Sequence, residues 1–248
     1  MSAPVKGGAA PRPPLAKETL HGTGRYQWVY LWGWPIRAMH WTAALCIVVL
    51  VITGFYIGRP YFMTSGEASA NYLMGKVRFW HFVAAGVLVA TAIVRFYWLF
   101  RGNKFERWGA LYPVRPRDWA NLWRKVKYYL MIDTTHDPQY MGHNPLQQLS
   151  YTFVYFIAAI MAITGFAMYG QAAPEGFFYT MFNWVVRLLG GIQRVHFVHH
   201  ILTWLFIIFV PIHVYLALRA DTLEHTGTIS SIISGGRFLE RDQKYVDE

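Results

Sequence analysis

Cysteine is almost missing from this chain, and acidic residues are scarce. Cys46 is the only cysteine, so no intrachain disulfide can form and no Cys-x-x-Cys pair exists for metal or covalent cofactor attachment. Asp and Glu together number 13 against 23 Lys and Arg, a formal net charge of +10. None of the 13 acids falls in four apolar stretches, roughly 35–58, 76–100, 147–170 and 195–219. That absence counts against a proton relay or ion pathway, which normally needs carboxylates inside a membrane.

Hydrophobic residues make up 54% of the chain and aromatics 18%. They are concentrated in stretches of about 20 residues or more, the length that crosses a bilayer. Pro35 suits the first turn of span one, and Asn144-Pro145 suits an N-cap and first helical position for span three. The basic excess therefore points away from nucleic acid. Arg101, Lys104, Arg107, Arg115, Arg117, Arg124, Lys125 and Lys127 lie in the loop between spans two and three, where the positive-inside rule expects them. That loop and both termini are expected in the cytoplasm. Residues 1–27 are Pro- and Gly-rich without an apolar core, so span one is expected to act as its own insertion signal. The expected organisation is an N-terminal tail (1–27), a four-helix membrane domain (28–220) and a polar C-terminal tail (221–248), surface-exposed or disordered. Segment 177–189 is too short to span; it reads as an interfacial helix on the outer side or an apolar loop over the bundle.

Four of the ten histidines sit inside the apolar spans: His40, His81, His199 and His213. An ionisable side chain in hydrocarbon marks a functional site by default. His199 and His213 are fourteen residues apart, about 1,400° of helix and only ~40° short of four turns, so they share a face. They are separated by roughly 21 Å along the axis. His200 and His196 point elsewhere by the same count, about 140° and 100° out of phase with His213. Span direction then pairs the rings by depth: His40 with His213 on the inner side, His81 with His199 on the outer. Two stacked bis-imidazole sites are the layout of a transmembrane electron wire carrying two haems. Without Cys-x-x-Cys-His the haems are b-type, and iron with imidazole on both faces passes single electrons. A lone membrane histidine more often only bonds a neighbouring helix; four, paired by depth and in phase, are harder to explain that way. His21, His136, His143 and His225 lie in polar segments as solvated loop histidines. Gly54, Gly86 and Gly165 would let a flat macrocycle or another helix approach closely. Arg37, Arg78 and Arg194 stand near the rims, as cations for haem propionates or as snorkelling anchors.

There is an internal echo. Lys76-Val77-Arg78-Phe79-Trp80-His81 resembles Arg194-Val195-His196-Phe197-Val198-His199, and Ile52-Thr53-Gly54-Phe55 recurs as Ile163-Thr164-Gly165-Phe166. A duplicated two-helix unit accounts for both, with Tyr151 opposite His40 and Arg95 opposite His213.

Two stretches carry a family resemblance. Arg37-Ala38-Met39-His40-Trp41, ending in Leu50-Val51-Ile52-Thr53-Gly54, resembles the first signature of the membrane cytochrome b subunit of nickel–iron hydrogenases, a di-haem family similar to cytochrome b561. His196-Phe197-Val198-His199-His200-Ile201-Leu202-Thr203-Trp204, followed by Phe209 and His213, resembles the second. The likeness runs over roughly 25–225. It implies an all-α integral membrane fold, a four-helix bundle holding two haem b, in the cell inner membrane. It also implies partners: a nickel–iron large subunit and an iron–sulfur small subunit docked at outer loops 59–75 and 171–193. Electrons would enter the outer haem, cross to the inner haem and reduce a quinone near Asn144, His143 and Gln147, where the formate dehydrogenase relatives use an asparagine. The chain itself would have no catalytic residues for splitting hydrogen. The alternatives are a formate dehydrogenase gamma subunit or thiosulfate reductase anchor, a free-standing cytochrome b561, and a haem-free transporter or anchor.

Overall fold

The computed structural model describes residues 26–62, 65–67, 71–113, 115–133 and 138–247. Four of its helices are long and apolar enough to cross a membrane: α1 (Trp34–Gly58), α2 (Leu73–Arg101), α5 (Pro145–Gly170) and α7 (Ile192–Glu224). Leu45, Ile52, Ile93, Phe156 and Phe197 stand exposed along them, as side chains facing lipid do. The protein is a helical, multi-pass membrane bundle. The helices overrun their apolar stretches by a few residues, most of all α7, which continues five residues beyond Arg219. Pro211 sits inside α7 without ending it.

The bundle is two hairpins. α1 lies along α2, and α5 along α7; the hairpins touch each other more sparingly, through α1 and α7 and at Phe82 and Arg95 of α2 against Tyr169 and Tyr155 of α5. This is the arrangement a duplicated two-helix unit would give. It leaves a slot between the pairs rather than a close-packed four-helix core.

One end of the bundle carries a folded cap. Strand β1 (Tyr26–Tyr30) pairs antiparallel with β2 (Gly236–Glu240), Trp28 opposite Phe238. Leu31, Trp32, Phe105, Met141, Leu239 and Tyr245 form its apolar core. The carboxylate of Glu106, 2% exposed, accepts from the Gly33 amide at 2.5 Å, the Trp98 indole at 2.8 Å and the Asn103 amide at 3.2 Å. It thus ties the start of α1 to the end of α2. Arg95 donates to the Glu106 carbonyl at 3.1 Å and to the Tyr155 hydroxyl at 3.3 Å. In the duplicated unit Arg95 occupies the position of His213, and there it anchors the cap.

The stretch from Asp221 is not the free polar tail expected of it. It holds the end of α7, a short helix α8 (Thr228–Ser234) and β2. Arg237 bonds Glu224 at 2.9 Å, and Asp247 accepts from the Met141 and Gly142 amides at 2.6 and 2.8 Å. Its few apolar residues, such as Leu239, are too short a pattern to show in sequence, and they are buried only because β1 and the loop before α5 bring partners. The long basic loop is also structured, with α3 (Trp108–Leu111) and α4 (Pro116–Tyr129). α4 buries Asp118, Asn121 and Lys125 and exposes Trp119 and Trp123, the residue type that anchors at a membrane interface.

At the opposite end, segment 177–189 is a helix, α6 (Phe177–Leu189), and not an apolar loop. Val185 packs on Ala167 of α5 and Val195 of α7. Gly190 and Gly191 follow at φ +78° and +124°, left-handed values that glycine adopts without strain, and turn the chain into α7.

Candidate functional site

Two histidine pairs occupy the slot, one towards each end. His40 stands in the second turn of α1, and its ring faces that of His213 on α7, centroids 6.3 Å apart at 51°. Trp41 meets His40 edge-on at 5.2 Å, and Phe209 stacks on His213 at 5.4 Å and 15°. The His40 Nδ1 and the Arg37 Nε, one turn earlier, are both buried with no hydrogen-bond partner among the described residues. Orphaned buried polar atoms are costly unless something else satisfies them.

His81 on α2 and His199 on α7 form the pair at the far end, with the His81 ring within electrostatic reach of His199. Each ring is held by the neighbouring helix of its own hairpin. His81 Nδ1 is 2.8 Å from Thr53 Oγ1 of α1; His199 Nδ1 is 2.9 Å from Thr164 Oγ1 of α5. The glycine after each threonine lies beneath the same ring: a Cβ on Gly54 would sit 3.4 Å from His81 Cε1, and one on Gly165 3.5 Å from His199 Cε1. The repeated Ile-Thr-Gly-Phe therefore builds the same ring seat twice. Gly86, by contrast, faces open space, with nothing within 4 Å of an added Cβ.

The other histidines part from these four. His200 meets Phe55 and Trp204 edge-on at 5.6 and 6.5 Å, between α1 and α7. His196 and His225 are exposed. His143 is not a solvated loop residue: its ring packs on Trp32 at 4.6 Å and Tyr151 at 4.8 Å. Burial, helped by the nearby Arg95 and Arg237 cations, pushes its pKa down to about 3. Sequence missed this because the partners come from the β1–α1 junction and from α5. His21 and His136 lie outside the described residues.

Arg37 donates to the Ile233 carbonyl of α8. Arg78 is exposed near the start of α2, and Arg194 caps the end of α6 through the Leu189 carbonyl at 3.4 Å. Asn144 and Gln147 form a reciprocal capping box: Asn144 Oδ1 accepts from the Gln147 amide, and Gln147 Oε1 from the Asn144 amide, both at 3.0 Å. Asn144 is buried at the cap end, beside His143.

The pairs suit a group that brings most of its own ligands. Among the described residues no three His, Cys, Asp or Glu gather to hold a bare metal ion. A metal–imidazole bond is about 2 Å long, so a metal atom between two facing rings separates their centroids by roughly 6 Å, close to the His40–His213 spacing. A slot between hairpins, one imidazole from each side and an unpartnered Arg37 Nε at the rim fit a haem group. The threonines escaped the sequence reading, although their signal, the Ile-Thr-Gly-Phe repeat, was visible; only contact with the histidines gives it a purpose.

Comparison with known proteins places this geometry in a family. Residues 31–235 match the model of the prokaryotic cytochrome b561 family. A probable Ni/Fe-hydrogenase B-type cytochrome subunit from Azotobacter vinelandii is 42% identical over 219 residues, 87% of this chain and 90% of that protein. Its counterpart in Cupriavidus necator is 41% identical over 211 residues, 84% and 86% of the two chains. The hydrogenase 1 subunit of Escherichia coli is 34% identical over 213 residues, 84% and 90%. The chain belongs to the prokaryotic cytochrome b561 family, beside the B-type cytochrome subunits of Ni/Fe hydrogenases.

Proposed function

We propose that this chain is the di-haem membrane anchor of a nickel–iron hydrogenase and passes electrons from its iron–sulfur small subunit to a membrane quinone. The observation that carries the reading is the pairing of four membrane histidines at two depths, with α7 contributing one ring to each pair. The relatives' names supply the hydrogenase partner. The cap end, with its basic residues, is the cytoplasmic end, which puts both ends of the chain inside and the far end towards the periplasm across an inner membrane.

A b-type haem held by these imidazoles would supply one-electron transfer. The protein's part is to hold and insulate. His81 and His199 would hold the outer haem, His40 and His213 the inner one. The apolar helices keep water from both. Arg37, with its unspent Nε, would meet a propionate at the inner rim; Arg78 and Arg194 would do so at the outer rim. Loops 59–75 and 171–193, with α6, are the docking surface for the partner. Quinone reduction takes two electrons, delivered singly, and two protons drawn from water at the cap end. Asn144, His143 and Gln147 lie at that depth and form the proposed quinone site.

Haem stoichiometry by pyridine haemochrome on the purified chain, with a redox titration of the same sample, tests the reading. Two b haems titrating in two steps are expected. One haem, or none after haem-replete expression, overturns the di-haem wire.

A further inference from the structure

Thr53 and Thr164 are equivalent residues of the two hairpins, and each does two things with one hydroxyl. Thr53 donates its single proton to the Val49 carbonyl one turn back, at 2.6 Å; Thr164 donates to the Ile160 carbonyl at 2.8 Å. A hydroxyl has one proton to give. With that proton spent on the helix, each threonine oxygen faces its histidine only as an acceptor. In that arrangement Nδ1 of His81 and of His199 carries the ring proton and donates it, at 2.8 and 2.9 Å. Nε2 is left bare, the state in which an imidazole binds a metal.

Among the described residues the cap-end pair lacks this device. His40 Nδ1 is buried without a partner among the described residues, and His213 has an aromatic ring, Phe209, stacked on it. A ligand histidine that donates its second N–H becomes more basic and favours the oxidised, more positive metal.

Resting on the di-haem reading above, we propose that Thr53 and Thr164 are positioning residues. They fix the tautomer and orientation of the far-end ligands and lower that haem's potential below that of its cap-end partner. Electrons then run downhill from the far end to the cap end. The direction is written into a hydroxyl on each hairpin that, among the described residues, has no counterpart at the other depth.

The test is a redox titration of the purified, haem-loaded chain carrying Thr53→Val, Thr164→Val, Thr53→Ser or Thr164→Ser. Valine keeps the shape and removes the hydroxyl; serine restores it. Each valine variant is expected to raise the lower of the two potentials and leave the higher one in place, and each serine variant to return the wild-type value. Unchanged potentials with both haems bound overturn the proposal, as does an equal shift of both steps. If a valine variant fails to retain the far-end haem, the serine variant decides: retention at the wild-type potential supports the hydroxyl's role, and loss in both overturns it. Histidine 15N shifts of the haem-free chain give a second readout; Nδ1-protonated His81 and His199 support the assignment, and the Nε2 tautomer refutes it. A wild-type chain with one haem would instead sink the di-haem reading itself, a result separate from any of these.

Discussion

His40 and His213 face each other across the slot between two helix hairpins, ring centroids 6.3 Å apart. They come from α1 and α7, one helix of each hairpin. Neither hairpin alone could make the pair, so its geometry reports how the hairpins dock.

The far-end pair gives the sharpest substitution test. His199 is seated on Thr164, whereas His200 lies between Phe55 and Trp204. On the di-haem reading proposed above, His199→Ala is expected to remove one haem of two and to block electron entry from the proposed partner; His200→Ala should keep both haems. Haem content of the two variants checks this, and the reverse pattern would refute the assignment.

Asn144 serves α5 as its N-cap, and a role near quinone is proposed for it as well. Two substitutions separate the roles. Asn144→Ala should lose the cap at about 1 kcal/mol and lower the melting temperature. Asn144→Ser keeps a capping oxygen, so its stability should stay near wild type while quinone reduction falls. Unchanged quinone kinetics in the serine variant would leave Asn144 with the cap alone.

Glu106 is a buried acceptor for three donors on three different stretches. Glu106→Ala would strand the Gly33 amide and the Trp98 indole, each costing about 1–3 kcal/mol. Because that junction starts α1 two turns before His40, the cap-end haem should be bound more weakly and the far-end haem unaffected. Haem titration of the variant, with its melting temperature, distinguishes this from uniform unfolding.

His143 gives the cap an acid sensitivity. In the unfolded chain its ring takes up a proton near pH 6.5, a value typical of free histidine; in the folded chain it does so only near 3. Between those values the unfolded state binds more protons, so stability falls as pH is lowered from about 6.5 towards 3 and is independent of this residue above that window. Melting temperature against pH should show the fall, and His143→Phe should flatten part of it. An identical profile in the variant would assign the acid sensitivity to other groups.

Sequence alone determined the membrane spans, the absence of carboxylates within them and the phase relation between His199 and His213. These follow from local composition and from the fixed 3.6-residue turn, which need no knowledge of neighbours. It also displayed the Ile-Thr-Gly-Phe repeat as a trace of duplication, without what its threonines touch. Only the tertiary structure decided what Thr53 and Thr164 touch, that residues 221–247 close a cap with β1, and that His143 is enclosed between Trp32 and Tyr151. Each of these joins residues far apart in the chain. Such contacts arise from the docking of one hairpin on another and of a strand on a distant strand, and no pattern confined to one segment encodes them.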